Sequence, residues 1–231
     1  TLTDRLFASN IENSPLNSSR VGPELFGLEI GVSWFRPIKL GGSRTRLRLD
    51  LLLQDRRFGE VTVPVPADLV PQLIPIKVEG QRIDATASWI YMLGSFGVGP
   101  YGGIQLFRSA YQETENLVFF LTTQVFALLS GLELTLSQPR FALGLRGGLM
   151  MPFDVTQTPF DSGEATGSGY QVQFNGRLIL SSTMSIYLSA AINRYRLDFN
   201  GPGTHRDAVA NEDYDQAREV NRFIDVSSGV Q

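Results

Sequence analysis

The stretch RTRLRLDLLLQ, Arg44 to Gln54, is the clearest indication of the fold in this sequence. Leucine occupies every second position from Leu47 to Leu53, and the positions between are mostly charged or polar. Successive side chains of a strand point to opposite sides, so this stretch predicts a strand with one aliphatic face and one largely charged face. A helix does not give this separation, because residues two apart lie about 200° apart around its axis.

The composition limits the class of protein. The chain has 231 residues, of which 42% are hydrophobic, enough for one large β domain or two small ones. Charged residues make up 19%, below the roughly 25% usual in soluble domains. A net charge of −3 argues against a nucleic-acid partner, and the absence of cysteine excludes disulfides, thiolate metal sites and cysteine nucleophiles.

The same alternation recurs along the chain and predicts about ten strands, with eight as the alternative. A β-bulge is predicted near Arg194. Without it, Tyr195, Leu197 and Phe199 would lie on the face opposite the apolar residues Ile186 and Leu188. The predicted strands are 1–11, 25–35, 44–54, 82–93, 98–108, 117–136, 141–151, 170–180, 184–199 and 219–231.

The connections between these strands alternate between short turns and long loops. Short ones are predicted near 37–43, 94–97, 137–139 and 181–183, and long ones near 12–23, 57–81, 109–116, 152–168 and 200–217. This spacing indicates an up-and-down antiparallel meander that closes on itself and so has no unpaired edge. We therefore expect one closed β-barrel domain over 1–231, with long outer loops near 57–81, 152–168 and 200–217.

Alternation alone leaves open whether the apolar faces point inward, as in a lipocalin-like soluble barrel, or outward into lipid. Strands of about 11–16 residues are long for a soluble protein and sufficient to span a bilayer. Lysine is nearly absent, with only Lys39 and Lys77, and aromatic residues cluster near strand ends. These features favour apolar faces that contact lipid.

The segments LFGLEIGVSWF, RTRLRLDLLLQ, FALGLRGGL and YQVQFNGRLIL carry a resemblance to the small outer-membrane β-barrels of Gram-negative bacteria. The resemblance is architectural and extends over nearly the whole chain. It implies a transmembrane β-barrel in the bacterial outer membrane, with the lipid bilayer as its surroundings. The chain departs from the class at Gln231, where mature barrels usually end on an aromatic residue.

The polar faces predict a set of charged side chains inside the barrel. Four acids and four bases fall on them: Glu29, Arg46, Arg48, Asp50, Asp84, Glu133, Arg146 and Arg177. Buried charges need partners, so an ion-pair network that fills the lumen is the first hypothesis. A constriction that selects ions or small solutes is the alternative.

The predicted loop 57–81 is the second candidate site. Its stretch VTVPVPADLVPQLIPIKV places Val65, Leu69, Val70, Leu73, Ile74 and Ile76 among four prolines. Apolar residues exposed in this way usually mark an interaction surface, so another envelope protein is a candidate partner. The alternative is that the loop folds over the mouth of the barrel.

Sites for catalysis and metals are weaker in the sequence. His205, the only histidine, lies near Thr204 and Asp207 in a polar segment, which a hydrolase could use but which suits a solvated loop as well. The acidic stretch ANEDYD contains Glu212, Asp213 and Asp215 but lacks EF-hand spacing. We expect no cofactor and no metal site.

The leading functional hypothesis is a non-enzymatic membrane anchor or scaffold that binds a partner through its outer loops. A narrow passive channel is the second hypothesis, and an outer-membrane hydrolase is the third. Electrical conductance separates the first two, and the effect of changing His205 separates the third.

Overall fold

The computed structural model describes residues 2–10, 19–21, 24–40, 43–63, 74–112, 122–158, 164–181, 184–207 and 212–230, with side chains in 28–38, 44–57, 79–110, 122–156, 164–181, 184–200 and at 226. Within these residues no helix has the length and hydropathy that crossing a membrane requires. The strands are β1 (Leu2–Asn10), β2 (Ser19–Val21), β3 (Glu24–Leu40), β4 (Ser43–Val63), β5 (Ile74–Leu93), β6 (Phe96–Gln112), β7 (Thr122–Ser137), β8 (Phe141–Thr158), β9 (Glu164–Ile179), β10 (Ser185–Asp207) and β11 (Glu212–Val230).

These strands form one antiparallel sheet in the order β2-β1-β11-β10-β9-β8-β7-β6-β5-β4-β3. The prediction of an all-β up-and-down meander is therefore confirmed. The count of about ten is not, because the segment predicted as a loop over 12–23 contributes the short strand β2, which pairs with β1. Closure of the barrel is also not confirmed, since no pairing between β2 and β3 occurs among the described residues.

The sheet nevertheless curls around an interior. Neighbouring strands lie about 4.8 Å apart, so β4 and β8, four steps apart in the sheet order, lie roughly 19 Å apart along the sheet. Arg146 on β8 and Asp50 on β4 are joined across the interior by an ion pair of 2.8 Å. Only a strongly curved sheet can bring these two side chains together.

Strands β3 to β6 and β8 to β11 are longer than predicted, and the three long outer loops are shorter. Only residues 64–73 separate β4 from β5, where a loop over 57–81 was expected. The ladder continues through this region after a register shift between Phe58 and Val61, and it pairs Thr62 with Pro75. Likewise only 159–163 separate β8 from β9, and only 208–211 separate β10 from β11. The alternation of apolar and polar residues that predicts each strand therefore stops before the strand itself ends.

Large apolar side chains project outward, as the sequence predicts, from the part of the sheet nearer the tight connections 94–95 and 138–140, which we call its lower part. We call this surface the apolar band; on β4 it includes Leu49, Leu51 and Leu53. Leu132 on β7 and Leu149 on β8 are both 61% exposed. So much exposed apolar surface is unfavourable in water and suits contact with lipid. Other members are Leu28, Ile30, Val32, Trp34, Ile83, Trp89, Tyr91, Ile104, Leu145, Val172, Phe174, Leu178, Ile186 and Leu188.

Beyond the apolar band the strands form what we call the loop-side extension, in which polarity is reversed. On β10 the outward side chains become Arg194 and Arg196, whereas Tyr195, Leu197 and Phe199 point inward and are 0–2% exposed. The predicted bulge near Arg194 is wrong, because β10 pairs with β11 without a break from Ile186 to Asn200. The apolar face changes because the surroundings change, while the register stays the same.

Candidate functional site

Four charged side chains form a closed set of ion pairs in the interior, which we call the charge ring: Arg48, Asp50, Glu133 and Arg146. Arg48 donates from Nε to Asp50 at 2.8 Å and from Nη1 to Glu133 at 2.7 Å. Arg146 donates from Nη2 to the same two carboxylates, at 2.8 Å each. Two acids and two bases therefore balance one another within the ring.

Hydroxyl groups complete the hydrogen bonding of the charge ring. Ser33 donates to Asp50 at 2.6 Å, and Ser88 donates to Glu133 at 2.7 Å. Arg146 Nη1 donates to the Thr86 hydroxyl at 3.1 Å. All four carboxylate oxygens of the ring thus accept at least one hydrogen bond, which offsets the desolvation of a glutamate that is only 2% exposed.

A tyrosine and two glycines define the space beside the ring. The Arg146 guanidinium lies 4.7 Å from the centre of the Tyr101 ring, a cation–π contact. Gly131 on β7 and Gly148 on β8 make room for this ring, because a Cβ added at Gly131 would collide with Tyr101 Cε1 and one added at Gly148 would collide with its Oη. With Ser33, Ser88 and Tyr101 included, every strand from β3 to β8 contributes to this level of the interior.

A second buried group lies on β5 and β6. Arg82 Nε donates to Asp84 at 2.9 Å, and Gln105 donates to the same carboxylate oxygen at 2.8 Å. The sequence prediction included Asp84 but missed Arg82, although the two residues are two apart and so share a face. Glu29 lies elsewhere and is more exposed, where it accepts a hydrogen bond from Gln54 at 2.6 Å and lies 3.7 Å from Arg56.

The two remaining predicted residues, Arg46 and Arg177, line a cavity of about 470 Å³ together with Arg48. We call it the arginine cavity. It lies at the end of the sheet where the tight connections 94–95 and 138–140 are found, which we call the short-turn rim. Arg177 donates to the Ser185 hydroxyl at 3.0 Å, whereas Arg46 makes no side-chain hydrogen bond or ion pair with any described residue.

Above the charge ring, the loop-side extension has an apolar core. Phe107 on β6 and Tyr195 on β10 meet across the interior, with ring centres 5.4 Å apart and planes inclined by 63°. Leu197 and Phe199 pack in the same cluster, at 0% and 2% exposure. The other members are Tyr101, Val125, Ala127, Leu129 and Met150, with Val155 and Ala165 packed against them. The interior is therefore occupied at two successive levels.

Other candidate residues from the sequence fall wholly or partly outside the described residues. Val65, Leu69, Val70 and Leu73 lie outside them altogether. Ile74 and Ile76 belong to the backbone of β5, and His205 belongs to β10, where it pairs in register with Tyr214. His205 was predicted in a loop and instead lies in a strand. Among the side chains that are described, no group of three or more His, Cys, Asp or Glu residues could hold a metal ion.

Comparison of the sequence with protein-family models and with curated proteins gives no match. Comparison of the fold with solved structures gives the outer membrane protease OmpT of Escherichia coli, with a TM-score of 0.53 and 11% identity over 99% of this chain and 91% of that chain. OccAB3 of Acinetobacter baumannii is similar over 99% of this chain and 98% of that chain, at 8% identity. Its TM-score of 0.15 is too low to support an argument.

The likeness to OmpT corrects one expectation from the sequence. The chain was expected not to be an enzyme, yet a protein that shares its fold at a TM-score of 0.53 is a protease. This fold is thus compatible with catalysis, and the expectation of a non-enzymatic protein is withdrawn. At 11% identity the likeness concerns the fold alone. The chain therefore has the antiparallel up-and-down fold of the outer-membrane β-barrel class.

Proposed function

We propose that this protein is an outer-membrane barrel with a sealed lumen. Its function is to bind another macromolecule at its loop side. One observation supports the proposal more than any other: the interior is filled at two levels. The charge ring occupies the lower level, and the apolar core with Leu197 and Phe199 occupies the upper one. An aqueous channel needs a wider or emptier interior than this arrangement leaves.

The location of the working surface follows from the same arrangement. If the lumen is filled, a binding surface has to lie at one of the two rims of the barrel. In this class of protein the long loops lie on the outside of the cell. The loop-side extension carries strands such as β10, which has 23 residues, beyond the apolar band. Of the predicted docking residues, Ile74 and Ile76 belong to the backbone of β5 at this end of the strand.

Conductance measurements in a planar bilayer test the sealed lumen. We expect the folded wild-type protein to show no steady openings in molar salt. A variant with Leu197→Gly, Phe199→Ala and Tyr195→Ala serves as the positive control, because it removes the apolar core and leaves the charge ring. Steady wild-type openings of uniform size would favour the passive-channel alternative over our proposal.

A photo-crosslinking residue at Leu69 tests the loop-side surface. We expect a discrete crosslinked product in native outer membranes, and no such product from the same residue placed at Leu145 in the apolar band. Equal protein crosslinking from both positions would show that the loop side is not a specific contact surface.

A second candidate function, hydrolysis of a macromolecular substrate at the loop side, is favoured by the likeness to an outer membrane protease. The test is to incubate the folded protein in lipid vesicles with a diverse peptide library and to read the products by mass spectrometry. Defined cleavage by folded but not by heat-unfolded protein would establish the activity. Loss of cleavage in His205→Ala would then connect it with β10.

A further inference from the structure

The arginine cavity is not explained by the proposed function, because it lies at the short-turn rim and not at the loop side. Its walls come from strands that are far apart in the sheet order: Arg46 and Arg48 belong to β4, and Arg177 belongs to β9. Arginines from distant parts of the sheet therefore line the same space.

The cavity has an excess of positive charge. None of its lining residues is acidic, although three are arginines. Arg48 is balanced by Asp50 and Glu133 of the charge ring, but that ring already contains equal numbers of acids and bases. Arg46 and Arg177 therefore add charge to the cavity that no described carboxylate contacts.

We propose that the arginine cavity binds a phosphate-bearing anion. Guanidinium groups form forked hydrogen bonds with phosphate oxygens, and a multiply charged phosphate group has enough oxygens for several guanidiniums to share. A cleft lined by one sign of charge also concentrates counter-ions more than a flat surface does, and Arg46 and Arg177 remain exposed at its walls.

The rest of the lining is largely apolar with a few hydrogen-bonding groups, which is usual for a small-molecule site. A volume of about 470 Å³ lies in the range of small-molecule sites, which is roughly 300–1,000 Å³. Phe35 and Tyr187 supply aromatic walls, and Asn175 and Ser189 supply hydrogen-bonding groups. The Ser189 hydroxyl donates a hydrogen bond of 2.9 Å to Asn175 Oδ1. The phosphate could belong to a free anion or to a lipid headgroup, since both present the same oxygens.

Calorimetric titration of the full-length, detergent-solubilised protein tests this site. Pyrophosphate is the probe for a free anion, and a short-chain phosphatidic acid is the probe for a headgroup. We expect at least one of them to bind the wild-type protein, and to bind Arg46→Gln at least about tenfold more weakly, because the variant loses a charge-assisted hydrogen bond. The double variant Arg46→Gln, Arg177→Gln should lose measurable binding.

Arg194→Gln is the matched control. It removes the same charge from the outer surface of β10, far from the cavity, and should bind the probe as the wild type does. Heat-modifiable migration on a gel establishes that each variant is folded. Absence of binding by the wild type at millimolar concentrations of both probes would overturn the proposal. Undiminished binding by the folded double variant, or an equal loss in Arg194→Gln, would overturn it as well.

Discussion

The apolar band and the loop-side extension are built from the same strands with opposite polarity. In the band, leucines such as Leu132 face outward and Glu133 is buried inside. In the extension, Arg196 faces outward and Leu197 is buried inside. Neither arrangement needs a change of register, as the unbroken pairing of β10 shows. The alternation of side chains therefore defines the two faces of a strand, and the surroundings of the strand determine which face is apolar.

The largest expected effect is on the charge ring, which exists only inside the band. Glu133→Ala leaves the Arg48 and Arg146 guanidiniums with one carboxylate between them, and we expect a loss of about 3–5 kcal/mol in the free energy of unfolding. Urea unfolding from lipid vesicles, followed by Trp34 and Trp89 fluorescence, measures it. Glu164→Ala, at an exposed site on β9, is the control and should change little. If Glu133→Ala lowered the free energy of unfolding by less than about 1 kcal/mol, the four side chains would not form a buried ring in which each charge needs its partners.

The second effect compares two leucines on β10 that lie on opposite faces. Leu197→Ala leaves a cavity in the apolar core, so we expect it to lower the free energy of unfolding by about 2–5 kcal/mol. Leu188→Ala lies in the apolar band, where lipid can fill the space, and should have a much smaller effect. Equal losses in the same unfolding assay would mean that the two faces do not differ in this way.

The third effect compares two positions on the outer face of β7. Leu132→Arg places a charge in the apolar band and should cost about 2–4 kcal/mol in a bilayer. Gln124→Arg lies on the same face within the loop-side extension and should stay within about 0.5 kcal/mol of the wild type. Comparable effects of the two substitutions on the unfolding midpoint would argue against lipid around the band.

The smallest effect concerns Tyr101, which lies where the charge ring meets the apolar core. Its hydroxyl is buried and has no hydrogen-bond partner among the described residues. Tyr101→Phe keeps the ring over Arg146 and removes an unsatisfied polar atom, so we expect a change of less than about 1 kcal/mol, in the stabilising direction. Tyr101→Leu, which also removes the cation–π contact, should be the less stable of the two variants. If Tyr101→Phe destabilised the protein as much as Tyr101→Leu does, the Tyr101 hydroxyl would have to form a stabilising hydrogen bond.

Much of the lower part of the molecule could be predicted from the sequence, because large apolar residues alternate strictly with polar ones there. RTRLRLDLLLQ gave the faces of β4 correctly, and Arg48, Asp50, Glu133 and Arg146 lie close enough to form one ring. That these four meet, while Arg46 and Arg177 line a separate cavity, depends on the curvature of the sheet, which alternation does not encode.

The upper part of the molecule could not be predicted in the same way. Tyr195, Leu197 and Phe199 were assigned to the outer face because they are apolar, which is correct for a strand in lipid and wrong for a strand in water. The outer loops were overestimated for the same reason, since the alternation of the apolar band ends before β4, β8 and β10 do. Arg82 was missed although its spacing from Asp84 would have placed it inside.

The most direct test of this account is a scan of spin-label accessibility along the outer face of β10. The chain has no cysteine, so single cysteines at Ile186, Leu188, Arg194 and Arg196 can each be labelled alone. In lipid vesicles we predict that labels at 186 and 188 are more accessible to oxygen, which partitions into lipid, and that labels at 194 and 196 are more accessible to a water-soluble nickel complex. The same accessibility ratio at all four positions would contradict the division of the strand between lipid and water.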